Sequence, residues 1–143
     1  MANKEIKTSI EISASPESIW KILTDFENYE NWNPFITKIS GEQRKGGKLK
    51  AVIGGMKFKP LVLKYDENEE IRWLGILFLK GLFDGEHSFQ IIDNKNGTCT
   101  FLQEEKFNGI LVGLFGKKLN TDTKTGFEQM NLKLKELAEK SNY

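Results

Sequence analysis

Two segments of alternating residues, 85–90 and 98–109, limit what this chain can fold into more than any other feature. They are joined by residues 93–97, Asp-Asn-Lys-Asn-Gly, which are residue types typical of turns. In the first segment His87, the only histidine, stands two positions before Phe89. The second segment has the same spacing in Cys99, Phe101, Gln103, Glu105 and Phe107. Because successive side chains of a strand point to opposite faces, the segments predict two paired strands with one aromatic face.

The polar side chains on this aromatic face indicate a binding site rather than a purely structural sheet. His87, Gln103 and Glu105 bring an imidazole, an amide and a carboxylate among the aromatic rings. Burying such a group without a partner costs roughly 2–7 kcal/mol, whereas an apolar wall with a few polar groups is typical of a ligand pocket. We therefore predict a cavity for a small hydrophobic molecule. Two alternatives stay open: a bulge turns Glu105 to solvent or to a nearby lysine, and His87 is a hydrogen-bonded residue of an ordinary core.

Length and charge narrow the classes of function. The chain has 143 residues, the usual size of one domain, so we expect residues 1–143 to form a single domain. Its 21 Lys and Arg balance 20 Asp and Glu, so no nucleic-acid partner is expected. The longest apolar run, residues 74–79, is far shorter than the roughly 20 residues of a membrane helix. We therefore expect no stable membrane insertion.

The numbers of cysteines and histidines predict neither an internal disulfide nor a metal site. A single cysteine, Cys99, cannot form an internal disulfide, which favours a reducing, cytoplasmic location. One histidine and one cysteine without ligand spacing do not predict a metal site. The glycines in residues 45–48 are not followed by a predicted helix, as a phosphate-binding loop requires. We therefore expect no cofactor.

The remaining periodicities predict an α+β fold. Residues 5–13 alternate as a half-buried strand, and Ser15 and Pro16 then open a helix as N-cap and first helical residue. A second short helix near residues 26–29 ends before Pro34. Four further strands are predicted at residues 36–41, 48–53, 56–65 and 70–79. With the first strand and the pair described above, this makes about seven antiparallel strands.

Residues 117–140 form the predicted closing helix. Its apolar stripe consists of Leu119, Thr123, Phe127, Met130, Leu134 and Leu137. Leu132 lies off this stripe, so it is expected either to contact a second subunit of a homodimer or to be exposed. A helix of this length can cross a curved sheet, and both have an apolar face to bury.

This order of elements resembles the START-related superfamily, also called SRPBCC, over essentially the whole chain. The segments that carry the resemblance are residues 15–20, 29–35, 71–75, 85–89, 105–109, 126–127 and 130–135. They are similar to the first-helix opening, the W-x-P turn, the later strands and the closing helix of polyketide cyclase-like members. The resemblance implies the helix-grip fold, a curved antiparallel sheet wrapped around a long C-terminal helix, with a ligand cavity between them. Lipid-transfer domains, plant pathogenesis-related allergens and Hsp90-activator-like proteins belong to the same superfamily.

The inner faces of these elements supply the candidate ligand contacts. Gly75, between Trp73 and Leu77, leaves room on its strand, although glycine also marks bends in strands. An ordinary core uses the same apolar residue types, so that alternative stays open. The candidates are Phe58, Val62, Trp73, Gly75, Leu77, His87, Phe89, Phe101, Gln103, Glu105, Phe107, Phe127, Met130, Asn131 and Leu134.

Three functions remain open. The leading one is carriage of a small hydrophobic ligand of lipid, polyketide or aromatic type, because apolar walls supply affinity and polar groups fix orientation. The second is a polyketide cyclase-like enzyme in which His87 and Glu105 are the catalytic candidates. The third is a module that binds another protein, as in the Hsp90-activator-like branch. Residues 82–83, flanked by Gly81 and Gly85, are either a lid over the cavity or ordinary packing.

Overall fold

The computed structural model describes residues 3–76, 81, 84–109, 112 and 119–140. The helices are α1 (Pro16–Thr24), a 3₁₀ turn (Phe26–Asn28), α2 (Tyr29–Trp32), a π-helical turn (Leu119–Thr123) and α3 (Lys124–Lys140). The strands are β1 (Asn3–Ile12), β2 (Ile36–Gly41), β3 (Leu49–Ile53), β4 (Met56–Phe58), β5 (Leu61–Asp66), β6 (Glu70–Ile76), β7 (Asp84–Asp93) and β8 (Cys99–Asn108).

Two antiparallel sheets carry the eight strands of the described chain. The larger sheet has the strand order β1-β8-β7-β6-β5, and the smaller one has the order β2-β3-β4. The described strands do not close into a barrel. α3 packs against β1, β8 and α1, so the long helix covers the sheet as the helix-grip fold requires. The predicted α+β architecture, with two short helices after the first strand, is confirmed.

The strand register decides which side chains share the inner face of the larger sheet. Residues that stand opposite each other on neighbouring strands point to the same side. One row across β6, β7, β8 and β1 consists of Trp73, His87, Glu105 and Ile6. The next row consists of Ile71, Phe89, Gln103 and Thr8. The three polar residues singled out in the sequence therefore lie side by side on one face.

One predicted strand is interrupted by a proline. The segment predicted as a single strand over residues 56–65 forms β4 and β5, because Pro60 has no N–H to donate to a ladder. The carbonyl of Pro60 still accepts the N–H of Leu49 at 2.8 Å, so the chain stays in contact with the smaller sheet. This break raises the count from about seven strands to eight among the described residues. The end of the predicted strand 70–79 lies outside the described residues, after Ile76.

Both short helices after the first strand are present. α1 begins as predicted, because the hydroxyl of Ser15 accepts a backbone N–H at 3.1 Å and Pro16 is the first helical residue. The second helix, predicted over residues 26–29, is a 3₁₀ turn that continues into α2. Asn33, immediately before Pro34, ends α2, because a residue before proline is disfavoured in helical conformation.

The closing helix has a shorter α-helical part than predicted. Of the predicted span 117–140, residues 119–123 form a π-helical turn and only Lys124–Lys140 is α-helical, while residues 117–118 lie outside the described part. The stripe residues Phe127, Met130 and Leu134 are fully buried, whereas Leu132 is 54% exposed. Within the described ranges, no helix has both the length and the apolar character needed to cross a bilayer.

A buried carboxylate stabilises the β5–β6 pair. Glu70, whose side chain is 8% exposed, lies 3.1 Å from Nζ of Lys64 and 2.7 Å from a guanidinium nitrogen of Arg72. Burial alone raises the pKa of Glu70, but the hydrogen bond from Lys64 and the charge of Arg72 outweigh burial and hold this pKa below its ordinary value. The carboxylate is therefore ionised more readily in the folded protein than in the unfolded chain.

We expect the stabilising effect of Glu70 to depend on pH. Because its folded-state pKa is lowered, the contribution is present above the unfolded value of about 4.3 and is lost as the pH falls through the folded-state value. Glu70→Gln should lower the free energy of unfolding by about 1 kcal/mol near neutral pH and by much less below about pH 3. Urea unfolding across this range, with exposed Glu69→Gln as control, measures the effect. A loss that does not change with pH would contradict it.

Candidate functional site

Four polar side chains form a continuous hydrogen-bonded chain between the larger sheet and α3. Nδ2 of Asn131 donates to Oγ1 of Thr8 at 2.9 Å, and Nε2 of Gln103 donates to Oδ1 of Asn131 at 2.7 Å. Nε2 of His87 lies 2.9 Å from Oε1 of Gln103. All four residues are at most 9% exposed. These hydrogen bonds therefore connect α3 to β1, β7 and β8 through buried polar groups.

Two backbone carbonyls fix the direction of this chain. Oγ1 of Thr8 donates to the carbonyl of Gln103 at 3.0 Å, and Nε2 of Gln103 is also within 3.5 Å of the carbonyl of Phe127. If the side-chain amides of Gln103 and Asn131 were both flipped, Oε1 of Gln103 would face the carbonyl of Phe127. The hydroxyl of Thr8 would then donate to Asn131 instead of to the carbonyl of Gln103. Gln103 therefore presents Oε1 to His87, and Nε2 of His87 carries the hydrogen.

The other ring nitrogen of His87 faces Glu105. Nδ1 and Oε2 lie 3.1 Å apart but are not in line for a hydrogen bond, and neither atom has a hydrogen-bond partner among the described residues. An imidazole nitrogen and a carboxyl oxygen therefore face each other inside the protein without an aligned hydrogen bond.

Aromatic side chains surround this imidazole. The ring centroids of Trp73, Phe89 and Phe127 lie 5.2, 4.5 and 4.9 Å from that of His87. The side chain of His87 is 1% exposed, whereas that of Glu105 is 13% exposed. The register of β7 and β8 is continuous, so Glu105 points inward and not to the outer surface. The hydrogen-bonded side chains thus lead to Glu105, whose carboxyl group is partly exposed.

Two glycines stand beside this carboxyl group. Gly75 of β6 stands opposite Gly85 of β7. A Cβ atom on Gly85 would lie 3.2 Å from Oε1 of Glu105, and one on Gly75 would lie 3.4 Å from the ring of Phe58. The side chains of Glu105 and Phe58 therefore occupy the space next to these two glycines.

The structure brings some of the predicted contacts together and separates others. The buried candidates in the main core cluster are Val62, Trp73, Phe89, Phe101, Met130 and Leu134. A second, smaller cluster contains Phe107 and Phe127 with Ile6 and Val112. Phe58 packs over Gly75, and Glu105 packs over the neighbouring Gly85. Leu77 and the predicted lid, residues 82–83, lie outside the described residues.

Gln103 and Asn131, two of the predicted ligand contacts, are buried and hydrogen-bonded to each other, and Gln103 also contacts His87. The sequence interpretation missed Thr8, which completes the chain on β1. The sequence contains the information needed to find Thr8. It stands two positions from both Ile6 and Ile10 in the first strand, so it shares their inner face.

A separate open pocket of about 590 Å³ lies between the smaller sheet and the short helices. Its lining consists of Phe26, Glu27, Glu30, Lys38, Ile39, Ser40, Lys50, Ala51, Val52, Lys57, Phe58 and Lys59. Phe58 lines this pocket and also packs over Gly75. The side chain of Phe58 therefore stands between the open pocket and the polar end of the inner face.

Solved structures of the same fold are similar to this chain at low sequence identity. A START superfamily protein from Mycobacterium smegmatis is 21% identical, with a TM-score of 0.75 over 95% of this chain and 97% of that one. Norcoclaurine synthase from Thalictrum flavum, in complex with dopamine and hydroxybenzaldehyde, is 13% identical, with a TM-score of 0.72 over 99% and 90%. The di-domain ARO/CYC StfQ from the steffimycin biosynthetic pathway is 10% identical, with a TM-score of 0.78 over 96% and 52%. At these identities the likeness concerns the fold alone.

No curated protein matches this sequence. The family model described as polyketide cyclase / dehydrase and lipid transport matches residues 4–139, nearly the whole chain. This match and the neighbouring structures confirm the resemblance to the START-related superfamily and its polyketide cyclase-like members. The chain therefore belongs to the polyketide cyclase / dehydrase and lipid transport family.

Proposed function

We propose that the protein binds a small, mostly apolar molecule between its larger sheet and α3, with the polar group of the ligand at Glu105. The observation that carries this proposal is the buried polar chain, which runs among aromatic rings and reaches an accessible end at Glu105. Polar groups that served stability alone would find all their partners inside the protein, because unpaired buried groups are costly. Here Nδ1 of His87 and Oε2 of Glu105 remain without an aligned partner among the described residues.

The surroundings of Glu105 suit an apolar ligand body. Aromatic rings line the inner face beside His87, and burial of apolar surface contributes roughly 25 cal/mol per Å² to binding. The description of the family includes lipid transport, and the Thalictrum flavum enzyme holds two small aromatic compounds. For this chain, these properties of relatives support a ligand of lipid, polyketide or aromatic type.

A second candidate function is catalysis of the cyclase type, which the His87–Glu105 pair favours. Such a reaction needs a base to remove a proton next to a carbonyl and a donor to stabilise the enolate. An imidazole and a carboxyl group 3.1 Å apart are residue types that can serve as acceptor and donor in such a reaction. If the protein is such an enzyme, Glu105→Gln should abolish turnover while the substrate still binds. A carrier protein would show no turnover in either the wild-type protein or the variant.

A bulky side chain at Gly75, next to Phe58, tests the binding proposal. Gly75→Leu should weaken the binding of 2-naphthol by about tenfold or more, because overlap in a packed site costs roughly 1–3 kcal/mol. Equilibrium dialysis measures the dissociation constant, and circular dichroism checks that the fold is retained. Leu74→Phe is the matched control, since it adds bulk to the same strand on the opposite face. Unchanged binding by a folded Gly75→Leu variant would contradict the proposed location.

A further inference from the structure

We infer that the open pocket of about 590 Å³ beside the smaller sheet binds an organic anion with an apolar body, such as an aromatic sulfonate or carboxylate. A volume of this size suits a small molecule, because ligand pockets in proteins usually measure roughly 300–1,000 Å³. It is a different site from the one proposed between the larger sheet and α3. Its lining combines apolar residues with four lysines, and the lysines come from all three strands of the smaller sheet or their ends.

The register of the smaller sheet brings these lysines to one face. Lys38 of β2 and Lys57 of β4 both stand opposite Val52 of β3, so the three residues form one row. Lys50 precedes Val52 by two positions and shares its face by alternation. Lys59 lies just beyond the end of β4 and lines the same pocket. All four lysines are exposed, so their charges remain solvated while the pocket is empty.

The four lysines have no ion-pair partner among the residues that the structure describes. Lys7, on the larger sheet, has one, because Glu5 lies 3.1 Å from its Nζ. The backbones of Lys38 and Lys57 lie about 10 Å apart across one strand, and the flexible stem of each can bend towards the other. An anion above Val52, between them, would be attracted by both ammonium groups and would offset their mutual repulsion.

Two glutamates, Glu27 and Glu30, lie on the helix side of the pocket. Within the described ranges, neither pairs with a lysine of the pocket. The lining therefore carries two more positive than negative charges. The glutamates repel an anion from the helix side, so a bound anionic group lies at the lysines of the sheet.

The apolar part of the lining suits the body of such a ligand. Its apolar residues are Phe26, Ile39, Ala51, Val52 and Phe58. Val52 and Phe58 are only half-buried, so their side chains offer apolar surface to a ligand. The methylene stems of the lysines add to this surface while their ammonium groups stay in water. An inorganic anion would contact the lysines alone, whereas an organic anion with a ring system would contact both parts of the lining.

Three probes separate the charge from the apolar body. Naphthalene-2-sulfonate has both, naphthalene-2-sulfonamide keeps the two rings without the charge, and benzenesulfonate keeps the charge with a single ring. We expect the dissociation constant of naphthalene-2-sulfonate from the full chain to be about fivefold lower than that of either other probe, as the loss of the ion pairs or of one ring implies. Isothermal titration calorimetry at low salt and neutral pH measures the three constants.

Lysine variants locate the binding. Lys38→Gln with Lys57→Gln should reduce the affinity for naphthalene-2-sulfonate to that for the sulfonamide. Lys21→Gln with Lys124→Gln, which changes the net charge equally at exposed positions outside the pocket, should leave it unchanged. Glu30→Gln should strengthen binding about twofold, because it removes a negative charge from the pocket.

Three results would overturn this assignment. The first is equal constants for the three probes or no binding of naphthalene-2-sulfonate. The second is a preference for the sulfonate that survives in the double variant of Lys38 and Lys57. The third is binding to phosphatidylglycerol vesicles that requires the same two lysines while free naphthalene-2-sulfonate does not bind, since the lysines would then contact a lipid surface.

Discussion

Gln103→Met is expected to lower the free energy of unfolding by about 3 kcal/mol. Methionine has a similar volume, so the change removes hydrogen bonds without opening a large cavity. It leaves Nε2–H of His87 and Oδ1 of Asn131 without their partners in a region where Gln103 is fully buried. Each unpaired group costs roughly 1–3 kcal/mol. Urea unfolding followed by tryptophan fluorescence and circular dichroism measures the loss.

Two further variants show whether the hydrogen-bond chain is the cause. Gln129→Met makes the same replacement at an exposed position of α3 and should change stability by less than about 0.5 kcal/mol. The double variant Gln103→Met with Asn131→Leu should cost less than the sum of its parts, because each change removes a group that the other leaves unpaired. A loss below about 1 kcal/mol for Gln103→Met, or strict additivity in the double variant, would contradict this account.

The sequence predicts the faces of the strands well, because alternation is a local property of extended chain. His87, Gln103 and Glu105 were expected on one inner face, and the register of β7 and β8 places them there. The strand break at Pro60 could also have been recognised, since proline removes a ladder donor wherever it occurs. Thr8 could have been found by the same alternation in the first strand.

The sequence does not predict which polar groups become partners. Gln103 and Asn131 lie 28 residues apart, on a strand and a helix, and their contact depends on how α3 is rotated against the sheet. Helical periodicity identifies the apolar stripe through Phe127, Met130 and Leu134, but the buried surface of α3 extends to Asn131. The width of a buried helix face is set by the shape of the sheet that it covers. The hydrogen bond between Asn131 and Gln103 therefore could not be predicted from the sequence.

Gly126→Ala is expected to destabilise the protein by about 2 kcal/mol, although alanine is the better helix former. A Cβ atom on Gly126 would overlap the ring of Phe35, with Cγ of that ring 2.9 Å away. Cγ is the ring atom closest to the backbone, so swinging the tip of the ring does not relieve the overlap. The ring is also held edge-on against Phe127, with centroids 5.5 Å apart. Overpacking costs roughly 1–3 kcal/mol, which exceeds the gain of up to about 1 kcal/mol in helix propensity.

The effect of Gly126→Ala should reverse its sign when Phe35 is removed. In a Phe35→Ala background the space is free, so the same substitution should raise the free energy of unfolding by up to about 1 kcal/mol through helix propensity. Thr125→Ala, at the exposed neighbouring position, controls for propensity and should be slightly stabilising in both backgrounds. Urea unfolding of the four combinations at positions 35 and 126 completes the cycle. An equal loss for Gly126→Ala in both backgrounds would mean that the close approach of α3 to Phe35 is not what requires glycine there.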